Sequence, residues 1–184
     1  MPIVIEDGTG NAFKARVDSK NRLETATIAE SPIQEATDDA DAYTLSSTYS
    51  ATGGQEVLYL RNDSLTQHMH LLHLDFSSDE TSLWTFFGVT STGAAGGTAG
   101  TVTNHRLNVT AATNFTSRGT AFGEASVTGS LSGDRLYIRR VLANETGHID
   151  FQGSVRLEQG DAVALTLATG TTNVIVVNLQ FFFA

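Results

Sequence analysis

From residue 42 onward, apolar and polar residues alternate along most of the chain. A period of two sends successive side chains to opposite faces of a strand. The pattern predicts strands near Tyr43–Tyr49, Glu56–Arg61, His68–Phe76, Leu83–Val89, Thr101–Val109, Thr120–Val127, Arg135–Leu142, Ala162–Leu167 and Asn173–Phe183. Between them lie turn-forming runs such as Thr52-Gly-Gly, Ser77-Ser-Asp-Glu, Gly129-Ser-Leu-Ser-Gly-Asp134, Glu158-Gln-Gly-Asp161 and Ala168-Thr-Gly170. No stretch carries the period of an amphipathic helix. The last strand is the clearest, with Ile175, Val177, Leu179, Phe181 and Phe183 on one face and Asn178 and Gln180 on the other. That places it centrally in the fold. Many short strands joined by tight turns predict an all-β domain, a jelly-roll β-sandwich, over residues 42–184.

Two segments break the rhythm. Residues 88–100, GVTSTGAAGGTAG, hold five glycines and no large side chain after Val89. They predict a long loop that adds nothing to the core. Residues 1–30 read as short strands joined by turns, a β-hairpin arm, with an acidic linker at 31–41. The arm's larger apolar residues, Ile3, Val4, Ile5, Phe13, Val17, Leu23 and Ile28, are too few to offset the entropy of ordering it alone. Such a hairpin needs a partner surface. An arm of this kind points to assembly.

Charge sharpens that picture. The formal net charge is -9, and only Lys14 and Lys20 of the eleven basic residues are lysines. A nucleic-acid partner would require a basic stripe, so none is expected. Within the arm, Lys14, Arg16, Lys20 and Arg22 are locally basic. With Phe13 they are the candidate partner-contacting residues, set to dock on acidic surface of another subunit. Arg139 and Arg140 are adjacent on a predicted strand, so one of them must face inward or into an interface. No apolar run approaches a membrane span, and Glu6 and Asp7 stand where a signal peptide would need an apolar run. With no cysteine, disulfides and thiolate metal sites are excluded.

The residues that suggest chemistry are few. His68 and His70 would share one strand face about 6.5–7 Å apart, a spacing that can clamp a metal. His73 and Asp75 fall an odd number of residues from His68, hence on the opposite face unless a bulge intervenes. Metal-dependent cupins use a His-x-His strand, but no Pro-x-Gly-x-x-His segment follows here. Buried or interface histidines are the simpler reading, and no metal or cofactor is expected. Gly97 is followed by Thr98 and Ala99 rather than Lys and Ser/Thr, so the glycine loop is no phosphate cradle. Gly129-Ser-Leu-Ser-Gly133 misplaces its serines for a nucleophile elbow. Asp38, Asp39 and Asp41 lack the glycine and closing glutamate of a calcium loop and read as solvated charge. Tyr49, Trp84 and Phe115 are the aromatic candidates for a glycan-binding surface, although Trp84 in Leu-Trp-Thr-Phe-Phe has a core-like setting.

Three segments carry a resemblance. Ile5-Glu-Asp-Gly-Thr-Gly with Ala15-Arg-Val-Asp and Asn21-Arg-Leu is similar to the start of a group of tailed-bacteriophage virion proteins, in which a hairpin arm precedes a β-sandwich. Gly96-Gly-Thr98, Thr103-Asn104 and Leu107-Asn108 resemble a middle segment of the same group, with His105-Arg106 departing from it. Val155 to Leu165, VRLEQGDAVAL, resembles its end. The Gly-Asp-x-Val turn also resembles jelly rolls of the tumour-necrosis-factor type, at the level of fold alone. The resemblance implies a non-enzymatic capsid decoration (cement) protein, often trimeric. It would be assembled in the host cytoplasm and seated on the capsid exterior, with the major capsid protein and its own copies as partners. A carbohydrate- or receptor-binding virion module and a cupin-like metal-binding enzyme are the alternatives.

Overall fold

The computed structural model describes residues 41–90, 95–105, 115–123, 127, 131–168 and 172–184, with the short strands at 16–17 and 23–24. The chain divides into two units, Met1–Ser31 and Pro32–Ala184. In the first, β1 (Arg16–Val17) pairs antiparallel with β2 (Leu23–Glu24), Arg16 opposite Glu24 and Val17 opposite Leu23. Phe13, Lys14, Lys20 and Arg22 lie outside the described residues, as does the acidic stretch before Asp41.

The second unit is all-β. Its strands are β3 (Ala42–Thr52), β4 (Gln55–Asn62), β5 (Met69–Ser78), β6 (Ser82–Val89), β7 (Thr101–Asn104), β8 (Gly119–Phe122), β9 (Gly133–Val141), β10 (Thr146–Leu157), β11 (Ala162–Leu167) and β12 (Thr172–Phe183). One antiparallel sheet runs β10-β5-β12-β3-β7 and the other β8-β4-β11-β6-β9. They pack face to face as a β-sandwich. The core between them gathers Tyr43, Leu45, Leu74, Phe76 and Phe181 from the first sheet with Leu58, Leu60, Trp84, Phe86 and Leu165 from the second.

The C-terminal strand lies where its alternation predicts. β12 sits between β5 and β3, and Ile175, Val177, Leu179, Phe181 and Phe183 are all buried. Burying that row contributes roughly 8–15 kcal/mol gross. The second sheet is covered on its outer face as well, where Tyr59, Phe87, Val127 and Ala164 form a smaller cluster with Ala95 and Leu131. Ala95 thus ties part of the 88–100 loop down by contact on the outer face, outside the core between the sheets.

The longest departure is β10, which the period-two pattern does not reveal. Ile149, Phe151 and Leu157 point inward, but Asp150 pairs with His73 and the next pair is Val155 with Leu71. The intervening residues bulge, with Gln152 and Gly153 at φ 50° and 74°. A bulge with two left-handed residues looks like a turn in sequence. A second bulge, at Leu72 in β5, overturns the opposite-face expectation for His73 and Asp75. Leu71 pairs with Phe181 and His73 with Gln180, so Leu72 is the extra residue. His70, His73 and Asp75 consequently share the outer face, and Leu71 and Leu74 the inner one.

Candidate interaction surface

The histidines divide among separate partners. His68, just before β5, places Nδ1 2.8 Å from Glu158 Oε2. His70 stacks on Phe182 with ring centroids 5.1 Å apart, and its Nδ1 lies 3.2 Å from the Gly153 carbonyl. The structure does not bring these two candidates onto one ligand. Farther along the same outer face, His148 Nδ1 contacts Asp75 Oδ1 at 2.6 Å, and the His73 and His148 rings lie 5.5 Å apart. Among the described residues, no three His, Asp or Glu side chains are arranged to hold a metal.

His105 closes this face beyond β7. Its Nε2 is 2.7 Å from Thr44 Oγ1. Burial, reinforced by nearby His73, lowers its pKa from the ordinary histidine value of 6.5. A depressed folded-state pKa means that the unfolded chain binds the proton more readily. The stability contribution is therefore full above pH 6.5 and is lost as pH falls from there through the depressed value. His105→Gln should flatten the stability–pH curve in that window relative to wild type, by at most about 1.4 kcal/mol per pH unit. Urea melts of both proteins from pH 7 downward measure the difference.

The aromatic candidates for glycan contact are core residues instead. Trp84 and Phe115 are buried, and Tyr49 packs against the same cluster with its hydroxyl 3.4 Å from the Val57 carbonyl. Phe115 lies in the connection between β7 and β8 but is turned inward, its ring packed against Tyr43 and Phe181.

Asp41 is likewise no solvated link residue. Arg118 Nη2 donates to Asp41 Oδ1 at 2.6 Å and to the Tyr43 hydroxyl at 2.7 Å, while Nη1 donates to Gln67 Oε1 at 2.7 Å. The guanidinium also lies 4.6 Å from the Phe183 ring centre. Burial would lower the Arg118 pKa, but the hydrogen bond and charge of Asp41, with Tyr43, turn the net shift upward. Tyr43 is pushed up by burial. This network pins the entry to β3. Neither Asp41 nor Arg118 is signalled by a local motif, because the pair spans 77 residues.

The surface best suited to a partner is β9. It is the terminal strand of its sheet and, among the described residues, pairs only with β6. Residues 134–140 are all exposed, including Leu136 at 49%, Tyr137 at 37% and Ile138 at 48%. A long apolar edge strand is a template for pairing with another chain. Its start is fixed by a close approach: a Cβ at Gly133 would come within 1.7 Å of the Gly88 carbonyl oxygen. Beside it, Leu136, Val155, Leu157 and Val163 line a recess of about 300 Å³.

The charges of β9 are also distinctive. Arg61, Arg118 and Arg156 each reach a carboxylate, namely Asp63, Asp41 and Glu158. Arg135, Arg139 and Arg140 reach none among the described residues; Arg139 donates only to the His148 carbonyl, at 3.2 Å. Sequence reasoning flagged the Arg139-Arg140 pair but placed no long exposed edge around it. Compared with protein-family models, with curated proteins and with solved structures, the chain matches none.

Proposed function

We propose that this chain is a non-enzymatic structural protein of a virion, one that decorates and stabilises a phage capsid from outside. The observation that carries the reading is β9: an exposed edge with an apolar middle, whose arginines reach no carboxylate among the described residues, in a chain of net charge -9. Such a strand suits an assembly contact. The separate N-terminal unit supports the same reading, since a short strand pair gains stability by docking elsewhere.

Strand order adds to it. The orders β10-β5-β12-β3 and β4-β11-β6-β9 use the eight longer strands, with short β7 and β8 appended at the far edges. We read this connectivity as a jelly roll, the architecture of many capsid domains. The resemblance in the arm and near the end gives the partners as the major capsid protein and further copies of the chain, in threes. Clustered copies would convert weak arm contacts into firm attachment through effective concentration. Trp84 and Phe115 are buried in the core and Tyr49 packs partly buried against it, so these three residues lend no support to the glycan-binding alternative.

Co-sedimentation with phage capsids that lack decoration tests the proposal. Full-length protein should pellet with capsids and saturate at a fixed ratio to the capsid protein. Protein lacking residues 1–31 should stay folded and lose most of that binding. Failure of the full-length chain to bind capsids of any phage that encodes it would sink the reading.

A further inference from the structure

We infer that β9 pairs with β9 of a second copy, antiparallel about a two-fold axis, in one particular register. The argument starts from which way each side chain of β9 points. Opposite residues in neighbouring strands share a face. Arg139 lies opposite Trp84 and Tyr137 opposite Phe86, both core residues, so these two face inward. Ile138 lies opposite Thr85 and Arg135 opposite Phe87, which packs in the outer cluster, so these face outward.

Between Tyr137 and Arg135 the register slips, leaving Leu136 as an extra residue. Leu136 reaches into the recess beside β9 on the side of the inward-facing Val155, Leu157 and Val163, and Asp134, opposite Gly88 and next to outward Arg135, lines it too. Both therefore face inward. The order along the strand is Asp134 in, Arg135 out, Leu136 and Tyr137 both in, Ile138 out, Arg139 in.

That order reads the same from either end. Antiparallel self-pairing centred between Leu136 and Tyr137 sets Asp134 against the second copy's Arg139, Arg135 against Ile138, and Leu136 against Tyr137. Every pair then lies on one face. Without the bulge this centre would oppose inward with outward residues, and centring on Tyr137 would set Arg135 against Arg139, which face opposite ways. The bulge thus permits this register; centring on Arg139 would also match faces from Tyr137 to Val141 but would set the two Arg139 side chains against each other. In the register centred between Leu136 and Tyr137 the apolar middle of the edge covers itself and two Asp134–Arg139 pairs form, one at each end.

The contact is isologous and joins copies in pairs, so three-fold clusters linked by it would hold six. It names a partner for the edge on which the capsid reading rests, but it does not require a virion.

Charge exchange tests the register. Light scattering after size exclusion on the full chain should give an even number of copies. Arg139→Asp opposes two carboxylates at each end and should weaken the pairing roughly a hundredfold or more, halving the mass. The double variant Asp134→Arg with Arg139→Asp should restore it. Circular dichroism confirms that each variant is folded, as expected for exposed positions. A wild-type chain with an odd number of copies, a monomer included, would overturn the inference. So would Arg139→Asp keeping the wild-type mass, or the double variant failing to regain it. Capsid co-sedimentation of the same variants separates the two readings: loss of pairing with retained capsid binding leaves the decoration role standing.

Discussion

Phe181→Ala is expected to lower the free energy of unfolding by about 3–5 kcal/mol, the range for removing a fully buried aromatic ring. Phe181 is 0% exposed on the central strand β12, opposite Leu71 on one side and Tyr43 on the other. Its ring centroid lies 5.7 Å from Tyr43, 5.6 Å from Phe115 and 6.2 Å from Phe183. Truncation removes apolar burial and three ring contacts together, and two hydrogen-bonded neighbour strands keep the backbone from collapsing into the gap. Val176→Ala serves as the control. It lies on the same strand but faces out at 40% exposure, so its cost should stay within about 0.5 kcal/mol. Denaturant titrations of both variants measure the contrast. Equal costs would show that the inner row of β12 is not the centre of the core.

Arg118→Leu is expected to cost about 2–4 kcal/mol, mostly from what it leaves behind rather than what it removes. The Asp41 side chain is only 19% exposed and would lose its counter-charge. Breaking one partner out of a buried pair strands the other, which costs more than the pair contributes. The Tyr43 hydroxyl and Gln67 side chain would lose donors at the same time. Arg118→Lys should recover only part of the loss, because an ammonium cannot reproduce the fork that meets Asp41, Tyr43 and Gln67 at once. Asp41→Asn combined with Arg118→Leu should cost less than the two single changes added together. Additive costs in that cycle would show that the pair acts independently at this site.

The sequence foretold what a regular period of two can encode. The strands β3–β9, β11 and β12 lie at positions that the sequence pattern marks, with β7 and β8 shorter than expected, and the inner row of β12 is readable residue by residue. Irregularities hid the rest. β10 is invisible because Gln152 and Gly153 bulge in its middle, and a bulge carries the composition of a turn. The bulge at Leu72 reverses the faces inferred for His73 and Asp75, since one inserted residue flips everything beyond it. Asp41 and Arg118 meet across a sequence distance over which no local pattern operates. At β9 the chain showed two adjacent arginines and the run Leu136-Tyr137-Ile138, but not that they stand on an edge. Edge position is a property of strand order, and strand order depends on contacts between distant segments.

Assembly is the central claim, and the mass of the full chain in solution tests it most directly. Light scattering coupled to size exclusion, over a wide range of protein concentration, should give one discrete oligomer of the 19.6 kDa chain. A protein that remains monomeric at every concentration would contradict the account. Its apolar edge strand would then lie open to water with no copy of the chain to cover it.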